Sequence, residues 1–154
     1  MFWGCFSWYG VGPLVLVDGT MDSDEYVNTL SCHFLPWARD TMETKTRGTE
    51  LIFQQDLASV HTSGYTSWWM ETHGFNVMEW APHSPDLNPI ENLWHHLDTQ
   101  VRKRTPLPLK KDELVEAVRE EWEKLPIQYL QALIGSMSRR VRAVVDAKGW
   151  HTKY

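Results

Sequence analysis

The chain has 154 residues, 42% hydrophobic and 23% charged, with a formal net charge of −5, the balance of one folded domain able to bury a core. Its only cysteines, Cys5 and Cys32, exclude a disulfide scaffold and a cysteine-based zinc site. No apolar run approaches the roughly 18 residues of a membrane span, and Met1-Phe2-Trp3-Gly4-Cys5 lacks the basic start of a secretory leader, so an intracellular protein is expected.

Trp3 to Trp8 and Leu14 to Val17 are short β-prone runs around Tyr9-Gly10-Val11-Gly12-Pro13, which predicts a hairpin closed by Asp18-Gly19. Asp22 to Leu35 reads as a helix with Tyr26, Val27, Leu30 and Phe34 near one face and Pro36 at its end. The polar residues 39–50 read as a loop. Leu51 to Asp56 is a compact strand ending on a carboxylate, Ser63 to His73 a helix stopped by Gly74, and Phe75 to Met78 another short strand. Pro82, Pro85 and Pro89 make residues 81–89 a region of turns.

Helices are predicted for the rest. The first begins near Pro89 and places Ile90, Leu93, Trp94, Leu97 and Val101 on one stripe. The second runs from Lys111 to Lys124 with Leu114, Val118, Trp122 and Leu125 inward. The third starts after Pro126, buries Leu130, Leu133, Ile134, Met137, Val141, Val144 and Val145, and stops at Gly149. The nine tryptophans sit mostly in these apolar segments and read as core, with base stacking as the alternative. Strands alternating with helices, then helices alone, predict an α/β sheet with a helical C-terminal layer.

The acidic net charge argues against a nucleic-acid binder. The basic residues are nevertheless clustered, at Arg102-Lys103-Arg104, Lys110-Lys111 and Arg139-Arg140 with Arg142. Each cluster reads equally well as a solvated helix end or as a phosphate contact.

Two carboxylates stand out. Asp56 ends an apolar strand, where open α/β sheets place ligand sites, although a polar strand end starting a turn has the same pattern. Glu91 lies in the first turn of the amphipathic helix, sharing with His95 and Asp98 an edge of its buried stripe. It has a second reading as a capping residue, with Asn88 as N-cap and Pro89 at the first helical position. A zinc site from Glu91, His95 and His96 is poorly formed, because adjacent histidines leave a helix on different sides.

Thirty-four residues separate Asp56 from Glu91, and their flanks resemble a known family. Phe53-Gln54-Gln55-Asp56 with His61-Thr62-Ser63, and Ser84-Pro85-Asp86-Leu87-Asn88-Pro89-Ile90-Glu91-Asn92-Leu93-Trp94, resemble the second- and third-carboxylate motifs of the Tc/mariner superfamily of DDE transposases. Trp3-Gly4-Cys5-Phe6 with Gly10, Gly12 and Gly19 resembles the preceding hairpin, and Ser136-Met137, Arg139-Arg140, Gly149, Thr152 and Tyr154 the C-terminal ending. Leu57 stands where the family usually carries Asn.

The resemblance implies a ribonuclease-H-like mixed sheet with flanking helices, and three carboxylates holding two Mg²⁺ or Mn²⁺ ions for DNA cleavage and strand transfer. Asp56 and Glu91 would be the second and third ligands, with Asp86 outside the metal position. His61, Arg102, Lys103, Arg104, Arg139 and Arg140 are the candidates for DNA contact or site support. DNA, in the form of transposon ends and target, is the implied partner, a homodimer the candidate assembly and the nucleus the implied compartment. No aspartate precedes the hairpin, so residues 1–154 read as a partial catalytic domain lacking the first, central strand, its aspartate and the N-terminal helix-turn-helix. By itself the polypeptide is expected to be inactive, and the vacated edge invites a partner strand.

Overall fold

The computed structural model describes residues 1–46 and 50–154. The chain forms two compact units, one of residues 1–4 and 15–84, the other of residues 5–14 and 85–154.

Strands β1 (Phe2–Ser7) and β2 (Gly10–Leu16) pair as a two-stranded sheet. Only Trp8 and Tyr9 lie between them, a tighter turn than the sequence pattern of Tyr9 to Pro13 indicated. Gly10 makes this turn possible by taking a φ of 143°, which a side chain would resist. At the open end Val17 N–H donates to the Met1 carbonyl at 2.9 Å and the Met1 amino group returns to the Val17 carbonyl at 3.2 Å.

In the first unit, α1 (Ser23–Thr29) begins where Asp22 Oδ1 accepts the Glu25 N–H at 2.9 Å. It runs through a π-helical turn (Leu30–Phe34) directly into α2 (Leu35–Thr44). Pro36 therefore does not end the helix, contrary to the sequence expectation. A proline clashes with the carbonyl four residues back and offers no N–H. In the wider turn Leu35 N–H bonds to the Leu30 carbonyl, shifting the ladder so that the ring fits at the start of α2. The loop expected over residues 39–50 is thus helical as far as Thr44, with Thr41 buried, while Arg47, Gly48 and Thr49 lie outside the described residues.

Strands β3 (Ile52–Phe53) and β4 (Asn76–Val77) pair in parallel, Ile52 opposite Asn76 and Phe53 opposite Val77. The strand expected to reach Asp56 leaves the ladder after Phe53. Helix α3 (Gly64–Thr72) starts at Ser63, whose Oγ accepts the Thr66 N–H at 3.1 Å, and ends before Gly74 at a φ of 72°. The core here is aromatic: the Phe34 ring meets Phe53 edge-on at 4.8 Å and Phe75 at 5.1 Å, and Trp69 stacks on Phe75. The mixed sheet is represented by two separate ladders, β1 with β2 and β3 with β4, and no third strand pairs with β3 among the described residues.

The second unit is helical. A short 3-10 turn (Pro85–Leu87) leads into α4 (Pro89–Arg102), followed by α5 (Lys111–Glu123), α6 (Ile127–Ile134) and α7 (Met137–Asp146). The predicted stripe of α4 is borne out: Leu93, Leu97 and Val101 are buried, and Ile90 and Trp94 pack against the same core. Leu93 and Leu97 join Trp122, Leu125, Leu130 and Leu133 in that cluster, against which Phe6, Val11 and Leu14 of the hairpin tip also pack. Full burial of each such leucine stabilises the unit by about 1.5–3 kcal/mol. Trp122 stacks on Trp94 at 5.6 Å and donates its indole N–H to the Gly12 carbonyl at 2.9 Å.

Three expectations fail here. The last predicted helix is two, broken at Gly135 and Ser136, where a Cβ on Gly135 would meet the Gln131 carbonyl at 3.0 Å. Leu114 of α5 and Val141 and Val145 of α7 are exposed. The residue of α7 that is buried is Arg140. A charged side chain with enough hydrogen-bond partners has displaced the apolar stripe from the inward face.

Candidate functional site

Asp56 lies three residues beyond β3, where the backbone has left the ladder and side chains must supply the hydrogen bonding. His61 Nδ1 stands 2.6 Å from Asp56 Oδ1, and the Ala58 N–H donates to the same oxygen at 3.0 Å. With the carboxylate ionised, the imidazole nitrogen is the donor. Oδ2 receives no hydrogen bond among the described residues, and the Asp56 side chain is 50% exposed. Both contacts thus fall on one oxygen of a half-exposed carboxylate.

His61 is itself held. Its ring lies 4.5 Å from that of Tyr26, and its carbonyl accepts from Gln55 Nε2 at 3.2 Å. Tyr26 donates its hydroxyl to Gln55 Oε1 at 2.7 Å. Tyr26 and Gln55 escaped the sequence reading, Tyr26 because its helical spacing marked it as core. It is core, 1% exposed, but a buried tyrosine needs a partner for its hydroxyl, and that need was the available clue.

Glu91 occupies the third position of α4, exposed, where the positive end of the helix dipole favours a carboxylate. Asn88 takes the N-cap position with extended backbone, yet its side chain makes no capping hydrogen bond. The Asn88 N–H bonds to the Pro85 carbonyl and the Glu91 N–H to the Asn88 carbonyl, and the start of α4 is also held from α7. Arg140 Nη2 donates to Asn92 Oδ1 at 2.6 Å, Nη1 to the Asp86 carbonyl at 2.7 Å and Nε to Ser136 Oγ at 2.7 Å. Thr152 N–H donates to Asp86 Oδ2 at 3.0 Å, and the Tyr154 ring lies 5.0 Å from the guanidinium carbon. Burial pulls the Arg140 pKa below its ordinary value, opposed by the charges of Tyr154 and Asp86. Asp86 therefore binds the C-terminal segment.

The remaining basic candidates divide. Arg102 pairs with Asp98 one turn earlier at 2.7 Å, and that hydrogen bond holds the Asp98 carboxyl below its usual range. Arg104 reaches Glu120 and Glu121 of α5, lowering both carboxyls, and its side chain is 24% exposed. Lys103 and Arg139 are exposed. His95 is exposed and His96 packs on the Tyr129 ring at 5.1 Å. No group of three or more His, Cys, Asp and Glu side chains able to hold a metal converges among the described residues.

Residues 20–115 match the model of the DDE superfamily endonucleases. The chain belongs to the DDE superfamily endonucleases. That match includes both Asp56 and Glu91. Over its whole length this DDE-family chain is 41% identical to the Tcb1 transposase and 37% to the Tcb2 transposase of transposable elements of Caenorhabditis briggsae. It is 35% identical to the Tc1 transposase of Caenorhabditis elegans, again over its full length. It covers 54% of each of these relatives, so it spans about half the length of the curated relatives it matches.

Among solved structures, the Mos1 transposase catalytic domain with raltegravir and Mn superposes at a TM-score of 0.86 and 20% identity, covering 97% of this chain and 76% of that one. The Mos1 paired-end complex with the left transposon end superposes at 0.78 and 20% identity, covering 96% and 43%. At such identity these two comparisons establish the fold, the ribonuclease-H-like architecture that the sequence resemblance implied.

Proposed function

We propose that the DDE-family chain is part of a catalytic domain with the phosphoryl-transfer function of a DNA transposase, metal-dependent DNA cleavage and strand transfer in transposition and integration, which residues 1–154 by themselves are not expected to complete. Asp56 and Glu91 are its ligands for Mg²⁺ or Mn²⁺. The reading rests above all on the Asp56 carboxylate, gripped through Oδ1 by His61 and Ala58 while Oδ2 takes no hydrogen bond among the described residues. The Ala58 contact alone is an ordinary turn bond of an aspartate; the His61 contact beside it is what favours a held ligand.

Hard divalent cations take oxygen ligands, and Mg²⁺ typically accepts one or two carboxylates and completes its shell with water and phosphate oxygens. Asp56 and Glu91 fit that requirement in chemistry. Bound metal activates the attacking oxygen and stabilises the leaving one in an in-line displacement at phosphorus. The chain's own part is to orient carboxylate oxygens, Asp56 through His61 and Glu91 through its place in the first turn of α4. Exposed Arg102, Lys103 and Arg139 are suited to phosphate contact, Arg104 and Arg140 to supporting the fold around the site. The partners are transposon-end and target DNA and a second copy of the chain, and the compartment is the nucleus.

A second reading, a remnant that binds DNA or protein without catalysis, is favoured by the finding that no group of three or more His, Cys, Asp and Glu side chains able to hold a metal occurs among the described residues. Mn²⁺ titration and nicking of supercoiled DNA separate the two. Asp56→Ala and Glu91→Ala are each expected to weaken Mn²⁺ binding at least tenfold. Nicking that both substitutions abolish selects the catalytic reading. Metal binding without nicking selects the remnant, and metal binding indifferent to both substitutions refutes the ligand assignment.

A further inference from the structure

We propose that Arg140 is a positioning residue for Glu91, fixing the first turn of α4 through Asn92 and Asp86. This rests on the reading of Glu91 as a metal ligand. Arg140 is 2% exposed. All three of its hydrogen bonds go to neutral oxygens: the Asn92 side chain, the Asp86 carbonyl and the Ser136 hydroxyl.

A buried ion hydrogen-bonded to neutral groups is a poor way to stabilise a core, and an apolar side chain of similar volume would ordinarily serve better. What the planar fork supplies is direction. Its Nη1 and Nη2 grip points on either side of the start of α4, Asp86 before it and Asn92 within its first two turns. Asn92 adjoins Glu91, so holding Asn92 limits rotation of the backbone that carries the Glu91 side chain.

The C-terminal segment closes the same cluster, Thr152 N–H on Asp86 Oδ2 and the Tyr154 ring against the guanidinium. Residues at positions 136, 140, 152 and 154 thus act on the turn that bears Glu91 from more than forty positions away in sequence. Partners that orient a metal ligand from behind typically change affinity 10–100-fold when removed.

Hydrogen exchange and Mn²⁺ titration of Arg140→Lys, Arg140→Met and Asn92→Ala test the assignment, with Glu91→Gln as the reference. The Leu93, Trp94 and His95 amides close the first turn of α4 and are expected to exchange at least tenfold faster in all three variants. Amides of α5 should be unchanged. Mn²⁺ affinity should fall about tenfold in Arg140→Lys as in Arg140→Met, because Lys keeps the charge and loses the fork. Asn92→Ala, at a half-buried site, keeps the test alive if the Arg140 variants fail to fold. Exchange that stays at parental rates, or accelerates equally in α4 and α5, overturns the proposal, as does full Mn²⁺ affinity in Arg140→Lys. If Glu91→Gln binds Mn²⁺ like the parent, the ligand assignment of Glu91 fails, and the exchange rates alone decide whether Arg140 fixes that turn.

Discussion

His61→Ala tests how Asp56 is aimed. The substitution removes the 2.6 Å bond to Oδ1 and leaves the 3.0 Å bond from the Ala58 N–H as the remaining grip on that oxygen. It also removes the ring that packs against Tyr26. If His61 orients the ligand, Mn²⁺ affinity falls by the 10–100-fold typical of such partners, equivalent to about 1.4–2.7 kcal/mol. Tyr26→Phe serves as the control: it deletes the hydroxyl that bonds Gln55 but keeps a ring beside His61, and should change Mn²⁺ affinity less than about threefold. The measurement is a Mn²⁺ titration by calorimetry or water-proton relaxation, with Asp56→Ala defining the background. Unchanged or tighter binding in His61→Ala refutes the reasoning, since the imidazole would then be competing with the cation for Oδ1 rather than holding it.

Two further outcomes concern stability. Trp122→Phe withdraws an indole donor from the buried Gly12 carbonyl and shortens the ring stacked on Trp94. The loss should be about 1–3 kcal/mol, seen as a lower urea midpoint with an unchanged slope. Arg104→Met removes the partner that lowers Glu120 and Glu121. Groups with depressed pKa values stabilise the fold above their unfolded values, near 4.3 for glutamate. The parent should therefore exceed Arg104→Met in stability at pH 7, and the difference should shrink as pH falls below about 4. A difference that persists at pH 2 would assign the effect to packing.

The sequence was most legible where a single periodicity decided the structure. The α4 stripe from Ile90 to Val101 and the α3 boundaries at Ser63 and Gly74 could be read directly, because each depends on local pattern or backbone chirality. The π-helical turn left a trace that went unread. Tyr26, Leu30, Phe34 and Ala38, all buried, follow one another at spacings of four. An ordinary helix would rotate by about 120° out of phase over three such steps, and one extra residue in the turn removes nearly all of that drift.

Other features were hidden because they depend on distant residues. The outward Val141 and Val145 and the inward Arg140 follow from acceptors at Asp86 and Asn92, which helical periodicity cannot see. The same holds for the carboxylates. Motif resemblance singled out Asp56 and Glu91, while the supports from Tyr26, Gln55 and Arg140 needed coordinates. His61 was a candidate for DNA contact or site support, and the structure places it on Asp56 Oδ1, a contact the motif alone did not specify.

The indole of Trp122 reaches a carbonyl 110 residues earlier in the chain. During synthesis at about 5–20 residues per second, the hairpin tip emerges roughly 5–20 seconds before that tryptophan is made. A lone two-stranded hairpin is marginal in water. Phe6, Val11 and Leu14, which finally pack against the α4–α6 core, must wait out that interval uncovered, so the nascent chain presents an apolar tip to chaperones before its own helices can cover it.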